Sequence, residues 1–465
     1  MAARRSLRTA LSTAMSEPTA RTPLTSAQRL LAIGLVLAVT LVAFEVTAII
    51  TALPTIADEL DGDSQYGVAL AVYTLANMVV LVAAGELADR YGPALPFIAS
   101  IITFIAGLVV AGLAQSMEWV VIGRLLQGAG TGGFNPISYS LVRRAFPTDR
   151  QPMVYAFLSA GWVLPSLVAP LIAGWITDTF GWRWVFYAII PAALAVGLLA
   201  VRPMLQYPAI AIERPRSRVP IATVAAAGLG AVAIGLQLSS VTAMAVTTLA
   251  GIALAVPALH RLLPSGYRRA AHGFAAVLVA RTIATLCFGG IDSFIPLAAD
   301  RIHGVGPTAQ GFVIIGAAIT WTFGQWIRAR RPGGDPARKV SEGFVVLGVG
   351  AVLSVPVLSA DWPLWATFVG WAVGGVGMGL LFNPTTVTSM SYATEGNEGM
   401  VSSQVALADS IGWTLVGALG GASVAAADRG SATITTAIGA NFGVAILLAV
   451  VGVLVSRRIR PAATA

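Results

Sequence analysis

The chain has 465 residues, of which 56% are apolar and only 11% are charged, and its mean hydropathy is +0.80. A water-soluble domain carries about 25% charged residues, so the composition excludes a soluble protein and equally an intrinsically disordered one. The single cysteine excludes a disulfide scaffold. The net charge of +8 comes from 28 arginines, one lysine and 21 acidic residues.

Apolar stretches long enough to cross a bilayer, about 20 residues each, recur along the whole chain. They predict fourteen transmembrane helices, numbered here as spans 1 to 14, at residues 30–57, 66–85, 94–114, 119–142, 153–177, 184–201, 219–240, 242–260, 273–299, 308–327, 343–360, 364–390, 399–426 and 433–456. Spans 7 and 8 come from one uncharged run, 219–259, which as a single helix would be about twice as long as the bilayer core is thick. We therefore expect this run to fold back near residues 239–242.

The charged residues between the spans are divided unequally between the two sides. The side of the N-terminus carries 24 of the 29 basic residues, whereas the opposite side has only Arg183, Arg301 and Arg429 together with nine acidic residues. This bias follows the positive-inside rule, so we expect a multi-pass membrane protein with both termini in the cytoplasm. The preference for arginine over lysine and the high alanine and glycine content favour a bacterial source, and hence a bacterial cytoplasmic membrane. The basic charge is thereby explained by topology, and no nucleic-acid partner is expected.

Short sequence elements recur in order at a near-constant offset. Leu-Pro-Thr-Ile-Ala-Asp at 53–58 returns as Ile-Pro-Leu-Ala-Ala-Asp at 295–300, and Phe-Asn-Pro at 134–136 returns at 382–384. Parallel repeats of this kind are one plan for transporters, with the site between the repeats. We predict a disordered cytoplasmic tail at 1–28, a six-helix half at 29–203, a linker with two additional helices at 204–272, a second six-helix half at 273–456 and a tail at 457–465.

The loop between spans 2 and 3 contains a short motif, Gly85-Glu-Leu-Ala-Asp89-Arg90-Tyr-Gly92. Two glycines permit a tight turn, and the aspartate and arginine can pair at a gate. The motif resembles the Gly-x-x-x-Asp-Arg-x-Gly signature of the major facilitator superfamily, although the basic residue that usually follows is replaced by proline and alanine. The resemblance implies an all-α membrane protein of two six-helix halves, here with two linker helices, fourteen transmembrane helices in all.

Two further motifs and span 1 resemble one branch of that family, the 14-helix drug:proton antiporters. Span 4 reads Arg124-Leu-Leu-Gln127-Gly-Ala-Gly, similar to Arg-x-x-Gln-Gly-x-Gly, and span 5 has Pro170 and Gly174 in a variant of Gly-Pro-x-x-Gly-Gly. Span 1 has Glu45-Val-Thr where the branch has Asp-x-Thr. The resemblance implies proton-coupled export of small hydrophobic or cationic compounds by alternating access, as in multidrug efflux.

Five charged residues fall inside the predicted spans: Glu45, Arg124, Arg281, Asp292 and Asp409. A charge at the bilayer centre costs about 2.5–3.5 kcal/mol on insertion scales, so we expect each of these residues to have a structural or functional role. Glu45 is either a structural ion-pair residue or, as we favour, a protonatable coupling site; the family resemblance supports Arg124 as its partner. Asp292 is a second proton site, a contact for a cationic substrate or a residue in a water-filled funnel. Arg281 and Asp409 lie at nearly equal depth, which favours a structural ion pair.

Candidates for substrate contacts lie on helices that line the central cavity in this family: Gln127, Asn135, Trp162, Trp321, Asn383 and Gln404. For the aromatic residues, packing or anchoring at the membrane interface is the alternative. Without a phosphate-binding loop or metal-ligand spacing, we expect no cofactor, no metal and no enzymatic activity. The expected partners are a small-molecule substrate, protons and the lipid bilayer, and the chain is expected to be a monomer. Export of an endogenous lipid, siderophore or metabolite, and proton symport, remain alternatives.

Overall fold

The computed structural model describes residues 23–147, 149–209, 217–330, 334–393 and 398–460, and in these ranges it contains helices and no strands. Residues 1–22 and 461–465 of the two predicted tails lie outside the described residues. The α-helices are α1 Ser26–Glu59, α2 Tyr66–Tyr91, α3 Ala94–Gly112, α4 Met117–Thr131, α5 Phe134–Ala145, α6 Gln151–Phe180, α7 Arg183–Met204, α8 Val219–Gly235, α9 Val241–Leu262, α10 Phe274–Asp292, α11 Ile295–Arg301, α12 Pro307–Arg330, α13 Pro336–Ser354, α14 Leu364–Met390, α15 Glu398–Asp428 and α16 Ile434–Ser456.

Eleven helical stretches among the described residues are long and apolar enough to cross a membrane. Large apolar side chains remain exposed on many of them, for example Leu198 at 80% and Leu249 at 66%. An exposed apolar surface of this extent is unfavourable in water and suits a lipid surround. The chain is therefore an all-helical, multi-pass membrane protein.

Two of the predicted spans are interrupted. Span 4 divides into α4 and α5 at Gly132 and Gly133, and span 9 divides into α10 and α11 at Ser293 and Phe294. A proline stands shortly after each break, and because proline has no N–H, the carbonyl four residues earlier loses its helical hydrogen bond. For Pro296, that carbonyl belongs to Asp292, so the break places this carboxylate at a helix end.

The long uncharged run folds back as expected, at residues 236–240 between α8 and α9. The two helices approach so closely that a Cβ on Gly228 would lie only 2.5 Å from the backbone nitrogen of Ala255, and glycine permits this approach because it has no Cβ. The α8–α9 hairpin packs on both α2 and α15. It therefore contacts a helix from the first helix group, α1–α7, and one from the second, α10–α16.

The two helix groups approach most closely at the far end of the bundle, defined here as the end opposite the termini. A Cβ on Gly67 of α2 would lie 2.2 Å from the Cα of Gly421 on α15. Tyr66 donates a hydrogen bond from its hydroxyl to the Ser293 carbonyl at 2.9 Å. Backbone contact without intervening side chains requires glycine at these positions.

We expect Gly67→Ala to destabilise this conformation by about 1–3 kcal/mol, because the new methyl group overlaps the α15 backbone. Thermal unfolding of the purified protein would measure the loss. Gly85→Ala, also on α2, is the matched control, since no atom lies within 4 Å of the position its Cβ would take. Equal unfolding temperatures for the two variants would contradict the proposed contact.

Candidate functional site

The first buried ion pair joins α1 to α4. Glu45 has no exposed surface and Arg124 is only 3% exposed. The Nη1 group of Arg124 donates to Glu45 Oε1 and, at 2.8 Å, to Gln127 Oε1. Gln127 in turn donates to the carbonyl of Gly107 at 3.2 Å. The structure thus brings three of the sequence candidates into one buried network.

One side of this network is incompletely bonded. Glu45 Oε2 and Arg124 Nε are buried and have no hydrogen-bond partner among the described residues. The guanidinium carbon of Arg124 lies 4.2 Å from the ring centroid of Tyr73, whose hydroxyl is 2.9 Å from Thr131 Oγ1. The Tyr73 hydroxyl also lies beside the Glu45 carboxylate. A proton added to this carboxylate would remove the charge that Arg124 faces.

Glycines in α4 determine how closely this arginine approaches its neighbours. A Cβ on Gly128 would lie 2.0 Å from the Tyr73 carbonyl oxygen, and one on Gly130 would lie 2.5 Å from Phe104. The small residues of the Arg-x-x-Gln-Gly-x-Gly motif therefore allow α4 to contact the backbones of α2 and α3. A bulkier residue would separate the helices that carry the ion pair and its surroundings.

The second ion pair joins α10 to α15. Arg281 donates from Nε to Asp409 Oδ1 at 2.7 Å and from Nη2 to Oδ2 at 2.9 Å. Its remaining Nη1 group donates to Thr386 at 2.6 Å, and its guanidinium carbon lies 3.7 Å from the ring centroid of Phe382. The pair is bidentate, which is the strong geometry for arginine and carboxylate.

Asp292 ends α10 and binds an indole rather than a cation. Its Oδ1 accepts a hydrogen bond from Nε1 of Trp371, at 2.8 Å, and the Trp371 side chain is fully buried. The sequence pattern gave no reason to select Trp371 as the partner, because the two residues are 79 positions apart. A row of rings continues from it through Phe288, Trp321 and Phe382, with centroids 5.0–5.2 Å apart.

The other predicted cavity residues are placed differently from one another. Gln127 and Gln404 are buried and donate to backbone carbonyls, Gln404 to that of Leu262 at 3.0 Å, so in this conformation they do not line an open cavity. Asn135 and Asn383 are half-buried on α5 and α14, and Trp162 on α6 is 39% exposed. Trp321 belongs to the row of rings.

The loop motif after α2 differs from the expectation in two respects. Gly85 lies inside α2, and the turn depends on Gly92 alone, whose φ of 82° favours glycine. No ion pair of Asp89 or Arg90 is found among the described residues, and the Arg90 guanidinium lies 5.1 Å from the Tyr91 ring. The expected Asp–Arg pair is thus not formed in this conformation.

Glu86 also belongs to the loop motif, and it forms polar contacts with the segment before α8. Its carboxylate accepts hydrogen bonds from the hydroxyl of Ser217 and, at 2.8 Å, from the backbone N–H of Arg218, immediately before α8. A carboxylate is favourable at a helix N-terminus. Glu86 was not among the residues predicted from the sequence; the available signal was an acid one turn before Asp89 on the same helix face.

The antiporter-like motif of α6 contacts α12 in the other helix group. A Cβ on Gly174 would lie 2.6 Å from the carbonyl oxygen of Pro307, and a Cβ on Gly311 would lie 2.4 Å from that of Pro170. Nearby, Asp178 accepts from the backbone N–H of Thr308 at 3.0 Å. The motif is therefore part of the far-end contact between the groups.

A cluster of charges completes this far-end contact. Arg301 of α11 donates to Asp58 at the end of α1 and, at 2.8 Å, to Asp63. Direct hydrogen bonds between the two helix groups lie at this end, formed by Arg301, Tyr66 and Asp178. The groups are joined at the far end in this conformation.

An apolar helical bundle with paired charges in its interior defines a multi-pass membrane protein. The family model of the Major Facilitator Superfamily matches residues 35–417. The chain belongs to this superfamily, whose members are transporters.

Relatives and solved structures agree with this assignment. An uncharacterized MFS-type transporter of Mycobacterium tuberculosis is 28% identical over 62% of this chain and 44% of its own length. A multidrug export protein of Haemophilus influenzae is 32% identical over 37% of this chain and 34% of its own length, and multidrug resistance protein 3 of Bacillus subtilis is 29% identical over 40% and 36%. The matched stretches thus cover less than two thirds of these relatives.

The fold is shared with distant transporters of known structure. A bacterial homologue of the human lysosomal transporter Spinster, described as inward-facing and unoccupied, superposes with a TM-score of 0.68 at 16% identity, over 94% of this chain and 98% of that one. The POT family transporter PepTSo gives a TM-score of 0.68 at 15% identity, with the same coverage. At these sequence identities, the similarity is evidence of a shared fold.

We expect Asp409→Ala to lower stability by on the order of 3 kcal/mol, because it leaves the buried charge of Arg281 unpaired, and Arg281→Ala to lower it less, because the Asp409 side chain is 26% exposed. The double variant should recover part of this loss, since neither charge remains. Expression level and thermal unfolding of the three variants would measure the effect. Equal losses in all three would show that the two residues do not act as a pair.

Proposed function

We propose that this protein is a proton-coupled secondary transporter that exports small hydrophobic or cationic compounds by alternating access. In this proposal it acts as a monomer in a bacterial cytoplasmic membrane, with both termini in the cytoplasm. Fourteen spans form two six-helix halves, at 29–203 and 273–456, with two additional helices in the linker at 204–272. The observation that carries the proposal is the fully enclosed pair of Glu45 and Arg124, in which one carboxylate oxygen is unpaired.

The coupling step follows from the energetics of this pair. An unpaired charge in a low-dielectric interior is strongly unfavourable, so Glu45 and Arg124 stabilise each other as long as both are charged. Protonation at Oε2 neutralises the carboxylate, so that the Arg124 charge is then in contact only with neutral groups among the described residues, namely Glu45 Oε1, Gln127 and the Tyr73 ring. The conformation that relieves this unpaired charge is then favoured, which links proton binding to a change of state.

We assign a state to this conformation from the contacts at the far end. With cytoplasmic termini the far end is external, so the bonds from Arg301 to Asp58 and Asp63 close the external side. A state that is closed to the outside is the one in which an exporter takes up its substrate from the cytoplasm. Release to the outside requires that the Arg301 contacts, and the approach of Gly67 to Gly421, are broken.

The substrate class follows from the chemistry beside Asp292. A carboxylate next to Trp371, with Phe288 and Trp321 behind it, provides an opposite charge and ring faces, which are the groups that bind organic cations. Relatives named as multidrug export and multidrug resistance proteins support this class. We assign Asp292 to substrate contact and Glu45 to proton coupling.

The proton-coupling role is tested in proteoliposomes with an imposed pH gradient and ethidium as the transported probe. We expect Glu45→Gln to lose gradient-driven accumulation almost completely, because the amide has nearly the shape of the carboxylate but does not take up a proton. Glu59→Gln is the matched control: it removes an equivalent carboxyl group from the end of α1, where Glu59 pairs with Arg183 at 2.6 Å. Full gradient-driven accumulation by Glu45→Gln would refute the coupling assignment.

The role of Asp292 in binding is tested with radiolabelled tetraphenylphosphonium on the detergent-purified protein. We expect Asp292→Asn to weaken binding about tenfold, because a close charge pair in a partly buried site contributes on the order of 1–2 kcal/mol. Trp371→Phe, which keeps a ring but removes the indole N–H, should have a smaller effect. Asp361→Asn, at an exposed far-end acid, is the control. Unchanged binding by Asp292→Asn would place the cation elsewhere.

A further inference from the structure

A pocket of about 280 Å³ lies where α9 ends, on the same side of the bundle as the termini. Its apolar wall includes Val256, Leu259 and Leu263, and its polar rim consists of His260, Arg268 and Arg269. An apolar wall with a basic rim at the membrane surface matches a lipid with a negatively charged headgroup. We propose that this pocket binds an anionic phospholipid from the leaflet on this side, a property distinct from the transport function proposed above.

The charges around the pocket favour an anion. Arg268 and Arg269 are exposed, and no salt bridge to either is found in the described parts of the chain. None of the residues that line the pocket is acidic. Arg458 donates to the carbonyl of Arg269 at 2.8 Å, which brings a further cation to the same surface. Because the carbonyl end of α9 itself repels anions, the attraction must come from these side chains.

The apolar wall continues beyond the pocket along one face of α9. Leu249, Ile252, Val256 and Leu259 follow one another at intervals of three or four residues, so they form a single stripe on α9, and Leu263 lies just beyond the end of the helix in the pocket wall. Leu249 is 66% exposed and Ile252 is 44% exposed, and no described helix covers them. From Leu249 to Leu259 the stripe is about 15 Å long, which is half the bilayer core and the depth of one leaflet.

Two hydrogen bonds fix the walls of the pocket to the second helix group. The hydroxyls of Tyr267 and Thr282 lie 2.7 Å apart, which joins the rim to α10. Gln404 of α15 donates to the carbonyl of Leu262 at 3.0 Å, which joins the end of α9 to the bundle. The pocket walls are therefore held in place by contacts with neighbouring helices.

The combination of rim and stripe distinguishes among possible ligands. Inorganic phosphate would use the rim but leave the stripe empty, whereas a zwitterionic lipid would use the stripe but offer no net charge to the arginines. An anionic phospholipid uses both. The lipid is therefore the occupant that fits the whole pocket.

The test measures lipid binding to delipidated, detergent-purified full-length protein by native mass spectrometry. Dioleoylphosphatidylglycerol should bind wild type at least about fivefold more tightly than dioleoylphosphatidylcholine, since each basic residue near an anionic surface contributes on the order of a fivefold gain. R268Q/R269Q should lose about tenfold or more of the phosphatidylglycerol affinity. R268K/R269K, which keeps the charge, should retain most of it, and Val256→Ser should weaken it through the stripe.

R143Q/R202Q is the matched control, because it removes two exposed arginines from the same side of the bundle at other helix ends. It should bind phosphatidylglycerol within about twofold of wild type. Equal losses in the two glutamine doubles would indicate general surface attraction and overturn the pocket. Equal binding of the two lipids, or displacement of phosphatidylglycerol by inorganic phosphate at millimolar concentration, would also overturn the inference. Thermal unfolding of each variant separates lost binding from lost fold.

Discussion

Burial of charge in an apolar bundle is the constraint on which the rest of this structure depends. A guanidinium such as that of Arg124 is tolerated there only if a carboxylate reaches it, and here Glu45 of α1 does so. The glycines of α4 permit its close approach to α2 and α3, where a methyl group on Gly128 would collide with the Tyr73 carbonyl. The small residues of the motif therefore place the Tyr73 ring against the charged group of Arg124.

The two interior ion pairs are built differently, and the difference bears on what each can do. Arg281 and Asp409 use both carboxylate oxygens, and Thr386 takes a further donor of the arginine. Such a saturated pair has little to gain from a proton. Glu45 has a free oxygen and no exposed surface, so its charge state is sensitive to any rearrangement around it. The Arg281–Asp409 pair is suited to holding α10 and α15 together, whereas the Glu45–Arg124 pair is suited to a change of protonation state.

Periodicity and charge placement were sufficient to predict an all-helical membrane protein and the fold-back of the 219–259 run, because both follow from local hydrophobicity. Equal depth put Arg281 and Asp409 at one level, and the structure joins them. The breaks at residues 132–133 and 293–294 were missed, although Pro296 marks the lost hydrogen bond of Asp292; Pro54, at the corresponding position in α1, leaves that helix continuous. The partners of Asp292 and Glu86 could not be predicted because they come from distant segments, so no local pattern encodes them.

The α8–α9 hairpin makes the two seams between the helix groups unequal. It lies against α2 and α15, where one seam runs, and it is fastened to the first group by Glu86 and to the second by Gln404. At the other seam α6 and α12 contact each other directly, and no additional described helix covers them. A compound dissolved in the membrane therefore meets a covered flank on one side and an uncovered one on the other. Sideways entry from the lipid, if the interior opens to it, has a single available direction.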